Sequence, residues 1–197
     1  LGPPLTSRGE QRRAAVLDAA LRCFRRDGFH SASIASICKE AGISAGHLYH
    51  FFPSKEAIVE AIVQGDRERM RAAVSGITNH PNLIDALTTA LASIEEEFGF
   101  ALDAALSSEI IAEASRNPRI AAILKQYDSD TRFEIERLLL AGQADGQVSK
   151  TLDVKGMAHV LLVIGDGLSA RSISDPDASR SSMHSVLKTM IEKALAP

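Results

Sequence analysis

Between Ser33 and Lys55 the chain reads SIASICKEAGISAGHLYHFFPSK, which brings hydroxyls (Ser33, Ser44), imidazoles (His47, His50), a phenol (Tyr49) and an ammonium (Lys55) into one short stretch. Groups of these types hydrogen-bond to phosphate oxygens and to base edges. Nothing nearby suggests catalysis. No nucleophile–base arrangement is apparent, and Gly142, Gly146, Gly165 and Gly167 do not make a phosphate-binding fingerprint. The two cysteines, Cys23 and Cys38, fall on apolar faces, and no Cys/His cluster has zinc spacing. The sequence therefore predicts no enzyme, no cofactor and no metal.

Charge is unevenly shared along the 197 residues, whose formal net charge is −3. Residues 1–55 hold eight basic and four acidic side chains; the remainder holds 14 basic and 21 acidic ones. A basic head on an acidic body points to a polyanion met by the head alone. No run reaches the ~18 apolar residues of a membrane span. Leu1–Gly9 has no apolar signal core, so the expectation is a cytoplasmic protein with reduced thiols and no membrane partner.

Helical periodicity must position these groups. Val16, Leu17, Ala20, Leu21 and Phe24 form one stripe of a first helix that Gly28 ends. Ser33 is placed to cap a short helix to about Ala41, and Ser44 a second to about Phe51. Gly42 permits the reversal between them. Such a pair is a helix-turn-helix, whose second helix can lie in the DNA major groove; the same spacing also suits an αα-corner of a helical bundle. Further periodic runs lie near 54–77, 81–98, 100–115, 118–141, 153–172 and 175–195, with cap-plus-proline signals at Asn117-Pro118 and Asp175-Pro176. The fold class is all-α with about nine helices. An N-terminal helix-turn-helix domain is expected over 1–53, and a C-terminal effector-binding and dimerisation domain over 54–197.

The run Gly28-Phe29, Ser33, Ile37-Cys38, Ala41-Gly42-Ile43-Ser44, Gly46, Leu48-Tyr49-His50, Phe52 and Ser54-Lys55-Glu56 resembles the DNA-binding domain of the TetR family of transcriptional regulators. Residues 109–142 and 153–171 resemble, more loosely, the C-terminal domain of BetI- and AcrR-like members. Two positions depart from the usual pattern: Cys38 replaces a common alanine, and Ala45-Gly46-His47 replaces a Lys-Gly-Thr type of sequence. The latter points to an altered operator preference. The resemblance implies that Ser44, Ala45, Gly46 and His47 occupy the exposed first turn of the recognition helix, and that Tyr49 and His50 face phosphate or base. Ser33 at a helix N-terminus is a phosphate candidate. Lys55 is a candidate phosphate clamp, and Arg12, with Arg8 and Arg13, a candidate contact to backbone or minor groove.

One recognition helix reads few base pairs, so a palindromic operator on double-stranded DNA calls for a homodimer. Two stripes could pair across a dyad: Met157, Val160, Leu161, Ile164 and Leu168, and Met183, Val186, Leu187, Met190 and Ile191. The resemblance further implies a pocket for a small-molecule effector of unknown identity. Candidate lining residues are Phe98, Phe100, Tyr127, Phe133 and His159, with Glu109 and Glu113 as polar anchors. The expected function is a ligand-responsive regulator, most simply a repressor released by its effector. The alternative is a ligand-independent regulator whose C-terminal domain only dimerises or binds a protein.

Overall fold

The computed structural model describes residues 8–78, 80–92, 103–175 and 180–197; nine α-helices and no strand occur among them. They are α1 (Arg8–Asp27), α2 (Ile34–Ala41), α3 (Ala45–Phe51), α4 (Lys55–Thr78), α5 (Leu83–Ala92), α6 (Ala104–Ala114), α7 (Pro118–Ala144), α8 (Val154–Ser174) and α9 (Arg180–Leu195).

The punctuation residues act locally. Gly28 ends α1 at φ +78, with its N–H on the Phe24 carbonyl at 2.9 Å. The Ser33 hydroxyl accepts the Ser36 N–H at 3.0 Å, while the Ser36 hydroxyl accepts the Ser33 N–H at 3.0 Å. This reciprocal cap satisfies two backbone donors that a helix start leaves open. Gly42 takes the left-handed conformation, φ +66, at the end of α2. A Cβ there would meet nothing within 4 Å, so backbone strain alone favours glycine. Ser44 caps α3, and Asn117 caps α7 through Oδ1 to the N–H groups of Arg119 and Ile120 at 3.1 and 3.3 Å.

The chain divides into two compact units. The first comprises the chain up to Gly65 together with residues 105–124; the second comprises 66–104 and 125–197. In the first, α1 packs on α2 and α2 on α3. Val16, Ala20, Cys23, Phe24, Phe29, Ile37, Leu48, Phe52, Ile58, Ile110 and Ile120 are all buried there. The Val, Leu, Ile and Phe side chains among them contribute roughly 1.5–3 kcal/mol each when fully removed from water.

The second unit is built round Val74, Leu83, Leu87, Leu138, Leu139, Val148, Leu161, Ile191 and Leu195. Polar pairs flank this core. Arg67 reaches Asp130 at 2.6 Å, Arg71 reaches Glu134 at 3.2 Å, and Lys188 pairs with Asp85. Leu161 and Ile191, expected on a dimer face, are 1% and 3% exposed and belong to this core instead, because the apolar stripes of α8 and α9 are wider than one contact surface. Met157 and Leu187 pack against the same cluster, and Ile164 and Leu168 are half-buried. Exposed on these two helices are Val160, Val163, Ile173, Met183, Val186 and Met190.

Candidate nucleic-acid interface

Helix α3 is short and has one anchor. Leu48 is fully buried, which fixes the rotation of the helix. Ser44, Ala45, Gly46, Tyr49 and His50 are then exposed, Tyr49 at 52%. The Ser44 hydroxyl accepts the His47 N–H at 3.3 Å, so its cap leaves the opening turn of α3 facing outward. A Cβ on Gly46 would touch nothing within 4 Å, and this open backbone is where a partner surface can approach closely.

An aromatic group lies behind that turn. The His47 ring stacks on Phe51 at 5.4 Å between centroids, and His50 meets the same ring edge-on at 5.3 Å. His47 is half-buried as a result, and Phe51 sets the direction of both imidazoles. Sequence reasoning did not single out Phe51; its spacing, four residues from His47 on a helix, was the available signal.

Ser33 and Arg12 are exposed. The Ser33 N–H and hydroxyl both serve the cap with Ser36. Arg13 lies over the Phe52 ring, 4.9 Å from its centroid. Part of the basic excess is neutralised internally. Arg22 and Arg26 both bind Glu40, at 2.8 and 3.1 Å, which ties α1 to α2. Arg22 first and Arg26 second hold the Glu40 carboxyl below its ordinary range.

Lys55 has a different role from the expected phosphate clamp. Its ammonium donates to the carbonyls of Phe29, His30 and Ala32 at 2.8, 3.2 and 3.1 Å, and sits 4.4 Å from the centroid of the Phe29 ring. An ammonium has three N–H donors, and all are used. Burial pushes the Lys55 pKa down, against the opposing pull of Glu113 and Glu56. Lys55 therefore clamps the α1–α2 connection, and its cation at the start of α4 is compensated by those carbonyls.

Glu109 and Glu113 also differ from expectation. They belong to the first unit, not to the one that holds Tyr127, Phe133 and His159. Glu109 accepts the Phe29 N–H at 2.5 Å. Glu113 accepts from Arg116 at 2.7 Å and faces the His30 ring at 3.8 Å. In the second unit, Phe133 is 60% exposed and the His159 ring meets Arg132 at 3.0 Å, also at the surface. Phe98 and Phe100 lie outside the described residues.

Among the described members of that expected lining, Tyr127 is half-buried near acidic side chains. Burial first, then the charge of Asp66, pushes its hydroxyl up to about 12. Asp166 is exposed overall, yet partial desolvation first and the charge of Asp128 second push its carboxyl above its usual range. The Arg67 Nε is buried without a hydrogen-bond partner among the described residues. Asp66, Arg67 and Asp166 carried no sequence signal, since they lie far from Tyr127 along the chain.

No described helix is long and apolar enough to cross a membrane, and no group of three metal-binding side chains occurs among the described residues. Residues 16–62 match the family model described as bacterial regulatory proteins, tetR family; residues 85–196 match the model described as BetI-type transcriptional repressor, C-terminal. The HTH-type transcriptional regulator UidR of Escherichia coli K12 is 36% identical over 181 residues, covering 91% of this chain and 90% of that protein. The nicotine-responsive repressor HdnoR of Paenarthrobacter nicotinovorans is 28% identical, covering 86% and 87%. The solved structure of Salmonella enterica GusR superposes with a TM-score of 0.86 at 33% identity, covering 98% and 99%.

Proposed function

Because the chain belongs to the TetR family of DNA-binding transcriptional regulators, we propose that it works as a cytoplasmic homodimer that reads a palindromic operator and releases it on binding a small molecule. The observation that carries the reading is the outward first turn of α3, held on buried Leu48 and turned by Gly42. Ala45, Gly46 and His47 read base edges; Ser44, Tyr49, His50, Ser33 and Arg12 take base or phosphate contacts. Lys55 acts behind them by fixing the α1–α2 connection. Exposed Val160, Val163, Met183, Val186 and Met190 supply the face for the second copy. Two α3 helices in such a dimer would enter major grooves roughly 34–36 Å apart. The effector is taken in the second unit, on the side that carries half-buried Tyr127. The chain has no catalytic step of its own in this scheme.

Selection of duplexes from a random-sequence library with the full chain tests this reading. Enrichment of a two-fold symmetric site is expected, with affinity falling steeply as salt rises, as counterion release requires. His47→Ala should then change the preferred base at one position in each half-site by about 1–3 kcal/mol, leaving binding to random duplex nearly unchanged. Failure to enrich any sequence would refute the proposal.

A further inference from the structure

The family model of the C-terminal domain begins at residue 85, yet residues 105–124 pack in the same compact unit as the helix-turn-helix. One segment of the regulatory half is thus built into the reading head. Its closest bond to the head is the carboxylate of Glu109 on the Phe29 N–H, at 2.5 Å and 80 positions apart in sequence. Gly28 makes room for it: a Cβ at that position would sit 3.1 Å from Glu109 Oε2. Phe29 is itself 2% exposed and packs edge-on against Phe24 at 5.3 Å. The same connection, residues 28–33, gives three of its carbonyls to Lys55 and faces Glu113 through His30. The link between α1 and α2 is therefore gripped on its carbonyl side by α4 and on its amide side by α6.

We propose that Glu109 is a positioning residue for operator recognition, one that sets the α1–α2 connection, and through it α2 and α3, from the α6 segment of the regulatory half. This rests on the chain being a reader of duplex DNA. A carboxylate–amide bond of this kind has both length and direction, so a shift of α6 along its axis would move Phe29, where a loose apolar contact would slip. Glu109 touches no nucleotide in this scheme; it holds the residues that place α3.

Three variants of the full chain separate position from charge and from stability. Glu109→Asp keeps the charge but shortens the reach by one methylene. Glu109→Gln keeps the reach and an acceptor oxygen but removes the charge. Ile120→Val trims a buried side chain of α7 in the same unit. Each is measured against a duplex selected with the wild type and against a random duplex, alongside thermal melting and hydrogen exchange of the Phe29 amide. Glu109→Asp should weaken binding of the selected duplex by about tenfold and expose the Phe29 amide to exchange, with random-duplex binding within about twofold. Glu109→Gln should stay close to wild type in both. Unchanged exchange or unchanged selected-duplex binding in Glu109→Asp would overturn the inference. So would an equal loss in Ile120→Val, which would assign the effect to stability. If the wild type enriches no duplex at all, the reading as a DNA regulator fails first, an outcome distinct from every one above.

Discussion

In the first unit, residues 33–47 hold their shape through contacts three to five positions apart: Ser33 with Ser36, Gly42 with Lys39, Ile43 with Cys38, and the Ser44 cap on His47. In the second, Arg67 meets Asp130 and Arg71 meets Glu134 across 63 positions, and Lys188 meets Asp85 across 103. The first kind of contact depends on the identity of one residue at one place. The second depends on long helices being brought together by interchangeable apolar side chains. A reading head must present α3 at one angle, and local devices fix an angle. A sensing unit needs a core of the right volume, which many sequences supply.

That contrast predicts how each unit breaks. The largest effect is expected in the core of the second unit. Leu138→Ala, at 1% exposure, should lower unfolding free energy by about 2–5 kcal/mol in denaturant titrations, while Leu138→Met should lower it by less than about 1.5 kcal/mol. If Leu138→Met is as damaging as Leu138→Ala, the core is less permissive than its composition implies. Next comes the turn. Gly42→Val should destabilise by about 1–2 kcal/mol although open space surrounds that position, because the strain is in the backbone. A neutral Gly42→Val would show that the turn can relax to a negative φ.

A further effect is absent at neutral pH and confined to alkaline pH. Tyr127 ionises near 12 in the folded chain, against about 10 in an unfolded one. The folded state keeps a proton there that the unfolded state gives up, so this contribution is complete below about pH 10 and is lost as pH rises towards 12. Absorbance titration of a Tyr49→Phe variant, which leaves Tyr127 as the only one of the two tyrosines, should show this late ionisation. An ordinary phenol titration would mean that Tyr127 is wet.

The same division explains what could be read from the residues. The helix-turn-helix, its two serine caps and the glycine reversal were legible, since all are short-range signals. The cap-plus-proline at Asn117 marked the start of α7 for the same reason. Lys55 misled because its position in the motif suggests an outward cation, while its three carbonyl partners lie 23 to 26 positions back. Glu109 and Glu113 misled because sequence order put them with the C-terminal helices. Periodicity marked Leu161 and Ile191 as apolar without saying which way they turn.

The return of residues 105–124 to the head bears on any attempt to build hybrid biosensors from this protein. A graft that keeps residues 1–62 and replaces everything after them would discard Ile110 and Ile120 from the head's own interior and leave the Phe29 amide without its acceptor. Splicing at the linear border therefore trades away part of the reader along with the sensor. A working chimaera has to carry that returning stretch with the reader and be recut where the two units part, at 65/66, 104/105 and 124/125.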